Sequence, residues 1–91
     1  MSAIQVRNGK IGDKPIIRAW ESFTGWLWLA TEKAHKQDSV IKCRIYRNDQ
    51  IWFGLVIGFA AEWGYFSQSE IERSSPMTWE VKKCDLESIS L

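Results

Sequence analysis

Between Asp49 and Phe66 the chain carries its densest apolar stretch, and within it Ile51 to Phe59 is a nine-residue run without a single charge. The run is rich in β-branched and aromatic side chains and contains Gly54 and Gly58. That pattern predicts a strand buried on both faces, at the centre of a sheet. A helix would lose about 1 kcal/mol at each interior glycine relative to alanine, whereas in a strand glycine marks a bulge or a close approach of another group.

Weaker patterns flank this strand. Ile16, Ile17, Ala19, Trp20 and Phe23 predict a strand beginning after Pro15, Thr24-Gly25 a break, and Trp26 to Glu32 a second strand pairing with the first as an antiparallel hairpin. In that second strand Trp26, Trp28, Ala30 and Glu32 share one face, and Leu27, Leu29 and Thr31 the other. Lys33 to Ser39 is polar and lacks a period, so it reads as an exposed loop or a single helical turn. Ile41, Cys43 and Ile45 alternate with Lys42, Arg44 and Tyr46 as in a half-buried strand. Asn48-Asp49 then offers residues suited to a tight hairpin turn. Such a turn sets Tyr46 opposite Ile51, Ile45 opposite Trp52 and Cys43 opposite Gly54. One face then holds Ile41, Cys43, Ile45, Trp52 and Val56, with Gly54 and Gly58 leaving room for a tryptophan from the first hairpin. Phe53, Leu55, Ile57 and Phe59 lie on the other face, beside Lys42 and Arg44.

Trp63-Gly64-Tyr65-Phe66 reads as a short aromatic strand or turn. Ser67-Gln68-Ser69-Glu70 has the spacing of a capping box, opening a short helix anchored by Ile71 and ended by Ser74-Ser75-Pro76. Trp79 and Val81 alternate with Glu80 and Lys82 in a last strand, and Asp85 to Leu91 is a polar tail with room for a short turn. Residues 1–14, with Asn8-Gly9 and Gly12-Asp13, are expected to form an N-terminal arm or short hairpin. Residues 15–91 are expected to form a single α+β domain, a mostly antiparallel sheet of about five strands with one short helix.

Composition narrows the function classes. A net charge of +1 spread over the chain argues against a global basic field. The start, Met1 to Lys10, lacks a leader-like apolar segment, and no window reaches the roughly 18 to 20 apolar residues of a membrane span, so a cytoplasmic protein with no membrane partner is expected. Cys43 and Cys84 have no metal-type spacing and His35 is the only histidine. Two free, partly buried thiols in a reducing compartment are expected, with no metal and no cofactor.

Three segments carry a resemblance. Gly25-Trp26-Leu27-Trp28-Leu29-Ala30-Thr31-Glu32, Phe53-Gly54-Leu55-Val56-Ile57-Gly58-Phe59, and Glu62-Trp63-Gly64-Tyr65-Phe66-Ser67 with Glu70 resemble, in order and spacing, the motifs of the small domain-of-unknown-function family numbered 2958. That family is common on plasmids, integrating elements and phages. The match runs from about Pro15 to Leu86, departing at Ala60, where the family often has an acidic residue, at the long connection from Lys33 to Asp49, and at Lys83 to Leu86. The resemblance implies no activity, catalytic residue or cofactor; it implies a mobile-element setting, where small proteins often act on host defence or on transfer machinery.

The candidate sites follow from these patterns. Six tryptophans in so small a chain are hard to bury together, and exposed Trp and Tyr often anchor interfaces. Glu62, Trp63 and Tyr65 are therefore the expected protein-binding residues, in a glycine-containing turn; the alternative is that Trp63 closes one end of the core. Lys42, Arg44 and Arg47 form the alternative, nucleic-acid-binding set. Arg18, Lys82 and Lys83 would adjoin them, and Tyr46 or Trp79 would stack on a base. Glu32, Glu62 and Glu70 would be acid–base candidates only if two of them shared a cleft. The expected function is a non-enzymatic protein-binding module of a mobile element, a counter-defence inhibitor of anti-CRISPR or anti-restriction type that occludes a host protein complex. An uncovered edge strand would also allow a homodimer.

Overall fold

The alternating patterns of the sequence produce a mostly antiparallel α+β architecture in a computed structural model that describes residues 4–91. Residues 1–3 of the expected N-terminal arm lie outside the described range. Three two-residue strands, β1 (Val6–Arg7), β2 (Lys10–Ile11) and β3 (Lys14–Pro15), form a small meander. The main sheet has five strands in the order β7-β6-β5-β4-β8, from β4 (Arg18–Ser22), β5 (Leu27–Ile41), β6 (Arg44–Ile57), β7 (Ala61–Ser67) and β8 (Thr78–Glu80). The helix α1 (Gln68–Glu72) follows β7, and a 3-10 helix spans Lys83–Ser88.

Ile51 to Ile57 of the glycine-containing apolar run is the inner part of β6, with Trp52 buried on one face and Ile51 and Leu55 on the other, whereas Gly58 and Phe59 lie beyond the strand and Phe59, expected beside Leu55 and Ile57, is fully exposed. On one face Leu55 and Leu29 pack with Ala19, Val6, Ile11, Ile16 and Leu86, so the N-terminal meander and the 3-10 helix form the lid of that core. On the other, Trp52 packs with Trp20, Ala30, Phe66 and Ile71. Ile71 is the helix anchor read from the sequence, and Ser67 Oγ accepts the Glu70 backbone N–H at 3.0 Å, as the capping spacing requires. The expected tryptophan over glycine is also present: a Cβ at Gly58 would sit 2.5 Å from the Trp26 ring. Gly54 is tighter, because a Cβ there would collide with the carbonyl oxygen of Leu29 and lie 2.9 Å from the Ala30 Cα.

The second hairpin is where structure and expectation part. Lys33 to Ser39 is neither loop nor helical turn but the outer half of β5, which pairs with β6 from Leu27↔Ile57 to Ile41↔Arg44. Asn48-Asp49 lies inside β6, and the turn is Lys42-Cys43, both with positive φ, 48° and 64°. Tyr46 consequently faces Ser39, Ile45 faces Val40, Trp52 faces Lys33 and Gly54 faces Ala30, so Ile41, Cys43 and Ile45 do not join Trp52 and Val56 on one face. The cause is register. Shifts between Ala30/Glu32, Lys33/His35 and Gln37/Ser39 break the two-residue period that identifies a strand in sequence. The first shift also turns Glu32 onto the face of Phe53, away from Trp28 and Ala30. Cys43 and Cys84 are free but exposed, not partly buried as expected.

A two-residue turn with positive φ at both centres favours Asn-Gly, and Cys43 has neither glycine's freedom nor asparagine's tolerance. Cys43→Gly should raise stability by about 1 kcal/mol. Urea unfolding checks this; a midpoint that falls would show that the turn does not hold this geometry.

Candidate functional site

In β7 the alternation of an extended strand puts Ala61, Trp63 and Tyr65 on one face and Glu62, Gly64 and Phe66 on the other. Trp63 and Tyr65 thus stand in a regular strand, not in a turn, and Glu62 is separated from them by the sheet. Across the ladder Phe53 pairs with Tyr65 and Leu55 with Trp63. The Phe53 ring stacks on Trp63 with centroids 5.8 Å apart and planes at 13°, and meets Tyr65 edge-on at 5.0 Å. Lys14 Nζ lies 5.4 Å from the Trp63 ring centre, where the lid ends. Beyond it the three rings form an open platform, with Trp63 40% and Tyr65 69% exposed. Trp63 belongs to neither buried cluster, so it does not close the core.

β7 is also an edge of the main sheet, with β6 as its single neighbour. Its outer row of backbone groups is therefore unpaired with any described strand, directly beside the platform. Gly64 keeps the opposite face of that strand low: nothing lies within 4 Å of where its Cβ would be.

Of the acid–base candidates, Glu32 and Glu62 do not converge. Glu32 pairs with Phe53 and Glu62 with Val56, positions three apart in β6 that point to opposite faces, so the two carboxylates share no cleft. Glu70 sits in the first turn of α1. Among the described residues no group of three or more His, Cys, Asp or Glu could hold a metal.

The basic set divides in two. Lys42, Arg44 and Arg47 lie at the tip of the β5–β6 hairpin, and Arg47 Nη1 pairs with Asp38 at 3.1 Å. Arg18 and Lys83 instead line a cleft of about 270 Å³ with Ile17, Lys33, Trp52 and Val81. Arg18 is held there by Glu80 through two hydrogen bonds, 2.7 and 2.5 Å, and its guanidinium lies 5.0 Å from the Trp20 ring and 5.5 Å from the Trp52 ring. The Glu80 hydrogen bond, opposed by burial, keeps Arg18 protonated beyond its ordinary range. Trp79 is away from both groups, its indole N–H donating to Glu21 at 3.1 Å. Lys33 was hidden from sequence reasoning because its segment lacked a strand period.

A second feature invisible in the sequence is Asp49. Read as a turn residue, it is buried, accepting from Ser39 Oγ at 2.7 Å, from Ser67 Oγ, and from the Ser69 backbone N–H at 2.9 Å. Burial alone would raise its pKa. The hydrogen bonds from Ser67, Ser39 and Ser69 outweigh that effect and hold it below the ordinary carboxylate value. Asp49 thereby ties β5, β6 and the start of α1 into one joint at the base of the hairpin.

Fold and geometry define a mostly antiparallel α+β protein with an aromatic platform on an open sheet edge and a basic hairpin. Comparison with protein-family models, with curated proteins and with solved structures returned no match. No described helix is long and apolar enough to cross a membrane.

Proposed function

We propose that this chain is a small non-enzymatic protein-binding module of a mobile genetic element, a counter-defence inhibitor that works by occupying the surface of a host protein complex. The observation that carries the reading is the platform itself: Phe53 stacks on Trp63 and meets Tyr65 edge-on, forming an aromatic surface beside the unpaired edge of β7. Such an edge accepts an extended segment of another protein through backbone hydrogen bonds, and neighbouring rings supply the selective apolar contact. Tyr and Trp are efficient anchors because they bury a large area while freezing few torsions. The placement of Glu32 and Glu62 on opposite faces takes away that acid–base pair. The mobile-element setting rests on the motif resemblance around Trp26, Gly54 and Trp63.

The test is affinity capture of the tagged chain from its host after nuclease treatment, in parallel with Trp63→Ala/Tyr65→Ala. A captured protein should survive nuclease and bind the double variant at least about tenfold more weakly, as for loss of a central anchor. Circular dichroism should show the variant folded, since both side chains stand outside the core. Equal capture by the variant would remove the platform from the interaction. The same edge also suits two copies of this chain pairing symmetrically, in which case light scattering would show a dimer that the variant loses.

A further inference from the structure

The outer part of the β5–β6 hairpin has no assigned role in the platform reading and shares no residue with that surface. β7 pairs with β6 only from Ile51 inward, and β4 pairs with β5 only from Leu27 to Ala30. Beyond His35↔Ile51 the hairpin is therefore a two-stranded ribbon with no third strand, fastened at its base where Asp49 accepts from Ser67 and Ser69. Six residues of β5, Lys36 to Ile41, extend it by roughly 20 Å at about 3.3 Å per residue.

Charge is concentrated there. Between residues 36 and 50 the chain carries Lys36, Lys42, Arg44 and Arg47 against Asp38 and the buried Asp49, a formal +2, so the rest of a chain with net +1 carries −1. Discounting Asp49, the solvent-facing charges of the ribbon sum to +3. The near-neutral total thus conceals a basic arm on a slightly acidic body. Asp38 neutralises Arg47, and among the described residues Lys36, Lys42 and Arg44 have no carboxylate partner. Val40 and Ile45 pair across the ribbon and share a face, 73% and 57% exposed, while the next pair, Ile41 and Arg44, starts from the other face. Val40 and Ile45 thus form an exposed aliphatic pair near the tip of a basic ribbon.

We infer that this ribbon is a duplex-DNA-binding arm that enters the major groove. Two strands about 4.8 Å apart, with their side chains, fit a groove about 12 Å wide, which admits a β-ribbon. Lys36, Lys42 and Arg44 would neutralise phosphates along the groove walls, and Val40 and Ile45 would pack on the apolar groups of the groove floor, of which the thymine methyl is the most prominent. The deep, narrow major groove of an RNA duplex would not admit the ribbon. A single strand offers no groove at all. The arm gives the protein a second partner class in addition to whatever binds the platform.

Fluorescence anisotropy of a labelled 20-base-pair DNA duplex, titrated with the full chain at several salt concentrations, tests the inference. Three phosphate contacts predict a slope of log affinity against log salt of about −2.7, at about 0.9 per neutralised phosphate. Lys42→Asn/Arg44→Gln, chosen because asparagine tolerates the positive φ of position 42, should reduce the slope in magnitude by about 1.8. Val40→Thr/Ile45→Thr, which keeps strand-forming side chains, should weaken binding without altering the slope. Absence of duplex binding at low salt, an unchanged slope in the charge variant, or equal affinity for single-stranded DNA or duplex RNA would overturn it. Trp63→Ala/Tyr65→Ala should bind the duplex like the parent, so this inference and the platform reading fail independently.

Discussion

Gly54→Ala should destabilise the protein by about 3 kcal/mol or more, enough to remove most of the stability of a small domain. Ala30 is directly opposite in the β5–β6 ladder, a register shift follows it, and the Leu29 carbonyl lies against position 54. A Cβ there would collide with that oxygen and lie 2.8 Å from the Leu29 carbonyl carbon, so backbone, not a side-chain tip, would have to move. Both neighbours belong to the buried centre of the sheet, where displacement spreads into Leu29 and Leu55. Gly58→Ala is the control. Its obstacle is the half-buried ring of Trp26 at the end of the sheet, which can rotate, so the cost should be well under that at Gly54. Urea unfolding of the two variants measures the difference, and a Gly54→Ala midpoint equal to the parent's would disprove the close approach.

Removal of the Asp49 carboxylate should be the other large effect, about 3 kcal/mol for Asp49→Ala. Three donors, the hydroxyls of Ser39 and Ser67 and the Ser69 N–H, would lose a charged acceptor, and the buried Ser39 hydroxyl would keep no strong one. The pH dependence has a definite sign. The folded protein holds this carboxyl below its ordinary value of 3.8, so the folded state binds its proton less readily than the unfolded chain. The contribution is therefore complete above about pH 3.8 and disappears as pH falls through the lower, folded value. Asp49→Asn should flatten that acid limb while remaining folded near neutral pH. An acid unfolding curve that keeps the parent's slope in the Asn variant would show that other carboxylates govern it.

The inner sheet was legible because its side chains obey simple periods. The Ile51–Phe59 run, the hairpin around Thr24-Gly25, the Ser67 cap and the Ile71 anchor each depend on a few adjacent residues and a local rule. The outer hairpin was not, and the reason is specific. Extra residues in β5 at the shifts near Thr31 and Ala34, and in β6 at the shift opposite Asp38, interrupt the alternation, so a long polar strand resembles a loop. A turn built from Lys42-Cys43 gives no sequence signal, while Asn48-Asp49 gives a false one: Asn48 does adopt positive φ, 54°, but within the strand. The same error split the candidate site. Trp63 and Tyr65 share a face and could be read as a pair, whereas the placement of Glu62 across the sheet required knowing that β7 is a regular strand. Asp49 became informative only once its three donors were in place, and Lys36 only once its segment was part of β5.

Strand order has a consequence for how the chain reaches this state. β4 through β7 form a meander in which each strand pairs with its successor through a short connection, so most of the sheet closes by local steps of small entropic cost. β8 is the exception: it returns to pair Trp20 with Glu80 and Ser22 with Thr78 on the far edge, enclosing nearly the whole sheet in one loop. Arg18, whose guanidinium lies over Trp20 and Trp52 and is clamped by Glu80, sits at that junction. Within the main sheet the non-local pairing is thus concentrated in a three-residue strand, and the bidentate Arg18–Glu80 pair is the latch on the loop that this strand closes.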